Sequence, residues 1–137
     1  MNKYVEKALE NHKKGYNCSQ AVACAYAEAA GVDETTMFKI MEGYGFGMGD
    51  SKGTCGAVSG AIALVGFCTS DGNIDAPSTK QATYKLACQV TSEFAAKNGS
   101  MKCRDLKGID TKKVLRSCDG CIADATEIVG RVLFRKS

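Results

Sequence analysis

Residues 43–66 read GYGFGMGDSKGTCGAVSGAIALVG. The first half has glycine at 43, 45, 47, 49 and 53. No ordinary helix or strand tolerates that density, so a loop with unusual backbone angles is expected. Thr54 then reads as a helix N-cap and Cys55 as the first helical residue. A thiol in that place faces unpaired backbone N–H groups and the positive end of the helix dipole, and both favour the thiolate. The helix that follows is made of small and apolar residues, among them Ala57, Ala61, Ile62, Ala63, Leu64 and Val65, and is expected to be a buried central helix. Gly56 and Gly60 lie four apart on one face, where another backbone can come close. That backbone could belong to the same chain or to the same helix of a second copy, which would make a homodimer. Gly45, Gly47, Gly49 and Gly56 together leave room for a ligand, or another sulfur, beside Cys55. Against this, glycine loops often only make turns, and free cysteines are commonly small buried hydrophobes.

Working outward, the chain reads as all-α. Alanine is abundant, β-branched runs are scarce, and there is one proline in 137 residues. Residues 2–14 form an amphipathic helix with Tyr4, Val5 and Ala8 inward, ended by Gly15. Asn17 caps a second helix that starts at Cys18 and stops at Gly31, with Cys24 in the core. Asp33 caps a third, with Met37, Phe38, Ile40 and Met41 on its buried side. Cys68 ends the central helix and reads as structural. Asp71, Gly72 and Pro77 mark a connection. Ser78 or Thr79 caps a long helix to Asn98, stopped by Gly99. Tyr84, Leu86, Ala87, Val90, Phe94 and Ala95 make its stripe, with Cys88 in the core. Residues 100–108 are a loop or short turn, in which Cys103 stands between Lys102 and Arg104 and is expected to be partly exposed. A last helix covers roughly 119–135, with Ile122, Ala125, Ile128, Val129 and Val132 inward. The expectation is a single domain over residues 1–137, a bundle of five or six helices.

The net charge of +3 is too small to argue for nucleic acid, and no arginine cluster is interleaved with aromatics. Residues 53–70 lack charges but hold four glycines and several hydroxyls, so a buried helix is expected there and not a membrane span. The first residues, MNKYVEKALENHKKGYN, have no apolar core of a secretory signal. A cytoplasmic protein is expected. In that compartment eight cysteines do not suggest a disulfide framework. They point instead to redox cycling, metal or cluster ligation, or plain burial. There is no CxxCH, so a c-type haem is not expected, and no zinc-finger spacing is present. The only histidine, His12, sits among Asn11, Lys13 and Lys14 at a solvated helix end. A Cys–His nucleophile pair therefore has almost nothing to be built from.

Four cysteines stand out physically: Cys18 and Cys55 at helix starts, Cys103 between cations, and Cys118 at the head of the CxxC that opens the last helix. A CxxC there is the arrangement of dithiol oxidoreductases and also half of many metal sites. No strands accompany it, so the thioredoxin context is absent.

On these residues the chain resembles the C_GCAxxG_C_C family of redox-active proteins. Asn17-Cys18-Ser19-Gln20-Ala21-Val22 is similar to its first cysteine motif. The glycines 45–49 followed by Thr54-Cys55-Gly56-Ala57-Val58-Ser59-Gly60 resemble its glycine loop and CGAxxG core. Cys103-Arg104-Asp105-Leu106 is similar to the third motif, and Cys118 ahead of Ile122-Ala123-Asp124-Ala125-Thr126 to the fourth. Cys24, Cys68, Cys88 and Cys121 lie outside the pattern. The resemblance implies a helical fold and a redox role. It extends distantly to split-Soret-type cytochromes, in which such a domain accompanies haem and an iron–sulfur site; without CxxCH the haem role does not transfer.

Two active readings follow, both using Cys18, Cys55, Cys103 and Cys118. In one, an oxidoreductase exchanges thiols and disulfides: Cys55 is the nucleophile, one of the other three resolves it, and the glycine loop admits the partner, a redox protein or a small electron carrier. In the other, the same four thiolates, spaced by 37, 48 and 15 residues, converge on an iron–sulfur cluster or zinc and the protein transfers electrons. A third reading is a non-catalytic helical module with inert cysteines.

Overall fold

The computed structural model describes residues 2–134. Eight α-helices follow one another: α1 (Lys3–Lys13), α2 (Cys18–Ala25), α3 (Ala27–Ala30), α4 (Glu34–Met41), α5 (Gly56–Thr69), α6 (Lys80–Asn98), α7 (Cys103–Lys107) and α8 (Cys118–Leu133). Between α4 and α5 lie a 3-10 turn, Glu42–Tyr44, and a wider π-type turn, Gly47–Ser51. The fold is all-α; among the described residues the only β pairing is a single antiparallel bridge between Thr54 and Lys102. No described helix is long and apolar enough to cross a membrane.

The helix count exceeds the five or six expected, for two local reasons. The second helix breaks at Tyr26, which leaves helical geometry at φ −105°, ψ 6°. Its ring stacks between Tyr4 and Phe134, and its hydroxyl donates to the Thr126 carbonyl oxygen at 2.8 Å. The break lets one aromatic ring tie the amino-terminal helices to α8. The second extra helix is α7, a single turn where a loop or turn was expected. Arg135, the last residue of the expected final helix, lies outside the described residues.

Capping residues set the helix starts. Asn2 accepts from the Val5 N–H at 2.9 Å and Asp33 from the Thr36 N–H at 3.0 Å. At α2 the cap is reciprocal: the Asn17 side chain accepts from Gln20 N–H at 3.0 Å, and Gln20 Oε1 accepts from Asn17 N–H at 2.9 Å. Glycines 31, 99 and 108, all left-handed, end α3, α6 and α7.

Helix α5 runs through the core, with Ala57, Val58, Ala61, Leu64 and Val65 fully buried. It packs against α2, α6 and α8. Its contact with α2 is backbone against backbone: a methyl built on Gly60 would stand 2.5 Å from the Ser19 carbonyl oxygen, and one on Gly56 would meet Cys18 Cβ at 3.2 Å. The Gly56/Gly60 face thus serves a contact within the chain.

Two core expectations are corrected on α6. Cys88 and Tyr84 are exposed, not buried. The face that reaches the core is Val90, Phe94 and Asn98, spaced by four, with Leu86 and Ala87 packed behind it. Cys88 is two residues from Val90, roughly 200° around the helix. Ile40 is likewise exposed, because the buried side of α4 is made by Met37 and Met41 with Phe38 packed beside them. Cys68, at the end of α5, is exposed. Cys24 is buried as expected.

The glycine contact gives a paired test. Gly60→Ala forces the α2–α5 backbones apart and should cost about 1–3 kcal/mol in denaturant unfolding. Gly66→Ala, in the same helix with nothing within 4 Å, should instead gain about 0.5–1 kcal/mol. Equal effects from the two would mean that the close approach carries no weight.

Candidate functional site

The elements that flank α5 deliver five sulfurs to one place. Cys18 is the first residue of α2. Its helix start is pinned to the end of α4: the Ser19 hydroxyl donates to the Met41 carbonyl at 2.6 Å and Asn17 Nδ2 to the Glu42 carbonyl at 2.9 Å. Gly45 lies against the Asn17 side chain, where a methyl would overlap it.

Cys55 and Cys103 are brought together by the short antiparallel bridge. Cys55 N–H donates to the Met101 carbonyl at 2.7 Å, and Cys103 N–H donates to the Gly53 carbonyl at 3.0 Å. Cys55 is the N-cap of α5, not its first helical residue; Thr54 is committed to the bridge and cannot cap. Cys103 is the first residue of α7. Gly47, at φ +56°, leaves the space that the Cys103 side chain fills; its missing Cβ would stand 2.5 Å from Cys103 Cβ. Ser51, also left-handed at φ 68°, accepts from Arg104 Nη1 at 3.0 Å, so the π-type turn is tied to α7.

Cys118 is the first residue of α8, whose cap Ser117 accepts from the Gly120 N–H at 3.0 Å. The segment before it is held to α7 by Leu115 and Arg116, whose N–H groups both donate to the Leu106 carbonyl. Arg116 also pairs with the buried Asp124 carboxylate at 3.1 Å. Cys121 lies one turn into α8 on the same side.

Cys18, Cys55, Cys103, Cys118 and Cys121 line one cavity of about 20 Å³, closed by Phe46, Leu106, Lys107 and Arg116. All are free thiols. Cys55, Cys103 and Cys121 are buried, while Cys18 and Cys118 are half-buried. Cys103 was expected to be partly exposed; the packing of Gly47 on it explains the difference. Of the loop glycines, Gly45 and Gly47 face protein side chains, Gly56 faces Cys18, and Gly49 has open space around its Cα. Cys24, Cys68 and Cys88 stand outside the cavity.

Within the cavity the sulfurs pair across helices. The CxxC does not pair internally: the ionisation of Cys118 is tied most strongly to Cys18, and that of Cys121 to Cys55, while Cys121 Sγ itself points at the Arg116 carbonyl oxygen at 4.0 Å. In each pair one thiol is drawn toward the thiolate and its neighbour is pushed to keep its proton. The Cys18 thiol, and then the Lys107 ammonium at 3.2 Å, hold Cys118 down to about 5. Cys18, keeping its proton beside that charge, is pushed up. The Cys121 thiol and the backbone N–H groups of Ala57 and Val58 bring Cys55 to about 7, against the pull of burial, and Cys121 is pushed up. Burial raises Cys103, with the neighbouring Cys55 acting in the same direction. Lys107 Nζ also lies over the Phe46 ring at 5.6 Å.

No group of three or more His, Cys, Asp or Glu side chains among the described residues is arranged to hold a metal ion. The cavity is small, with room for about one water among the sulfurs. As they stand, these residues do not fit a cluster or a zinc ion.

Comparison with known families agrees with the resemblance read from the sequence. Residues 16–132 match the family described as "Putative redox-active protein (C_GCAxxG_C_C)". The chain belongs to this family. Neither a curated protein nor a solved structure matches it. All five cavity sulfurs lie within the matched residues. Cys121 was read in the sequence only as the second cysteine of the CxxC, and Lys107, Phe46 and Arg116 were not singled out. The signal for Cys121 was its helical spacing of three from Cys118. For Lys107 it was a spacing of four from Cys103, legible only once residues 103–107 are known to be helical.

Replacing Lys107 by Met removes the cation without shortening the side chain. The midpoint of Cys118 alkylation by iodoacetamide, followed against pH with peptide mapping, should rise from about 5 by about 1–2 pH units. Because the thiolate is the reactive form, the rate at mildly acidic pH should fall. An unmoved midpoint would remove Lys107 from the account.

Proposed function

We propose that this member of the redox-active family is a thiol–disulfide exchange protein in which Cys118 attacks and Cys18 resolves. The observation that carries the reading is the Cys118 sulfur at the start of α8, half-buried, with Lys107 Nζ at 3.2 Å and Cys18 beside it. A helix start, a cation and a neighbouring thiol each favour the thiolate, which is the nucleophile in exchange. This moves the attacking role from Cys55, the residue favoured by sequence, because Cys55 is only 6% exposed and a bulky disulfide has no route to it. The Cys118 thiolate attacks a substrate disulfide, forming a mixed disulfide and releasing one substrate thiolate. Cys18 then attacks the Cys118 sulfur, closing the Cys18–Cys118 disulfide and releasing the second substrate thiolate, while its own proton passes to the leaving sulfur. Two electrons move from protein to substrate, and the reverse sequence reduces the protein. The partner is a protein or small-molecule disulfide, in a compartment reducing enough to return the dithiol.

A second reading keeps the sulfurs as ligands. It is favoured by one observation: Cys18, Cys55, Cys103 and Cys118 each stand at a helix start facing the same cavity, a setting that stabilises negative charge. It requires the paired sulfurs to turn toward a common point, and the iron–sulfur or zinc site would then replace both pairings.

Anaerobic purification with iron, sulfide and zinc analysis separates the two. Metal-free protein that reversibly loses thiols on oxidation, with Cys18→Ser and Cys118→Ser each blocking the Cys18–Cys118 disulfide and Cys88→Ser behaving as the parent, is the expected result. Stoichiometric iron with sulfide, or stoichiometric zinc, would overturn the exchange reading.

A further inference from the structure

We infer that Cys55 and Cys121 form a second, internal dithiol couple, charged by exchange with the Cys18–Cys118 disulfide, so that one chain stores four electrons. The inference rests on the exchange reading above. Cys121 is the fifth sulfur of the cavity and lies outside the family's four-cysteine pattern. It is 2% exposed, and its partner Cys55 is 6% exposed, so neither meets a substrate directly. Both nonetheless share a wall with the half-buried pair. On α8 the two couples are one turn apart, through Cys118 and Cys121. On the other side they are joined where Gly56, the residue after Cys55, touches Cys18 Cβ. The absence of a side chain at Gly56 lets the backbone next to Cys55 lie against Cys18, where an added Cβ would stand 3.2 Å from Cys18 Cβ, and both sulfurs line the same cavity.

The relay balances. It begins with a Cys18–Cys118 disulfide, a Cys55 thiolate and a Cys121 thiol. The Cys55 thiolate attacks the Cys18 sulfur; a Cys55–Cys18 bond forms, the Cys18–Cys118 bond breaks, and Cys118 leaves as thiolate. Cys121 then attacks the Cys55 sulfur, and its proton goes to the departing Cys18. The products are a Cys55–Cys121 disulfide, a Cys18 thiol and a Cys118 thiolate. The surface couple is reduced again and ready for a second substrate disulfide, which is the only external oxidant required. Cys103, in the same cavity but in neither pair, keeps its proton and stays out of both bonds.

The test is disulfide mapping of the full chain, in a Cys68→Ser, Cys88→Ser background that removes the two exposed thiols, during graded oxidation with oxidised glutathione. The expected course is a Cys18–Cys118 disulfide first and a Cys55–Cys121 disulfide second, with four thiols lost per chain. Cys118→Ser should slow formation of the Cys55–Cys121 disulfide about tenfold or more, since the buried pair is then cut off from the oxidant. If Cys18–Cys118 forms while Cys55 and Cys121 remain free in excess oxidant, the internal couple is wrong and the exchange reading stands. If the Cys55–Cys121 disulfide forms equally fast in Cys118→Ser, the relay is wrong. If no Cys18–Cys118 disulfide forms at all, the exchange reading itself falls and takes the relay with it.

Discussion

The contact on which the rest depends is the backbone approach of α5 to the start of α2, made through Gly56 and Gly60. Two helices carrying ordinary side chains pack with axes 8–10 Å apart. Here the Ser19 carbonyl occupies the place of a side chain at Gly60, and Cys18 occupies it at Gly56. The consequence is that the starts of the two helices lie side by side, each bearing a cysteine. Ser19 cannot drift, because its hydroxyl is spent on the Met41 carbonyl. The turn that follows α4 is therefore held in place too, and with it the glycines that press on Asn17 and Cys103.

Five sulfurs in one small, largely buried cavity raise an electrostatic problem, and its solution shapes the chemistry. Adjacent thiolates repel strongly at low dielectric, so neighbours cannot all ionise. The sulfurs resolve this in twos, one proton to each pair. In both pairs the sulfur that ionises has help that its partner lacks. Cys118 has Lys107, and Cys55 has the Ala57 and Val58 N–H groups. Cys18 also stands at a helix start, yet its thiol is pushed up, because the neighbouring Cys118 outweighs the helix end. A helix N-terminus alone is thus a poor predictor of a reactive cysteine when a second sulfur is within reach.

Much of the fold was legible in the sequence, since caps and left-handed glycines are local chemistry. Asn17, Asp33, Gly31 and Gly99 could be placed without knowledge of any neighbour. The break at Tyr26 could not, because its cause is Thr126, one hundred residues away. The same division runs through the site. Cys18 and Cys118 were visible at helix starts, each announced by its own cap. Cys121 was visible as the second cysteine of the CxxC, which pointed to Cys118 as its partner; that Cys55 shares its cavity could not be read from the chain. Cys103 was misjudged on exposure because its neighbours in sequence are charged, whereas its neighbour in space is a glycine. Cys88 was misjudged because Leu86, Ala87 and Val90 lie close to it in sequence, while its own face of α6 is turned to solvent.

The cross-helix pairing also bears on redox poise. Cys18 and Cys118 are separated by 100 residues in the chain. In the chain-entropy model a disulfide closing a loop of that length stabilises a fold by roughly 4–5 kcal/mol. By linkage the fold favours the disulfide equally, which alone would lower the two-electron potential by roughly 100 mV. A CxxC closed on itself would gain little from this source. The ionisation of Cys118 works in the other direction. Its thiolate exists only in the dithiol state, and whatever Lys107 and the start of α8 contribute to it is lost when the disulfide forms. The couple is therefore set by two opposed quantities that sit in different parts of the molecule. One is the distance along the chain that the disulfide spans. The other is the single cation held between Cys118 and the Phe46 ring. The loop length is fixed by the fold, so Lys107 is the place where the potential can be adjusted without rebuilding the core.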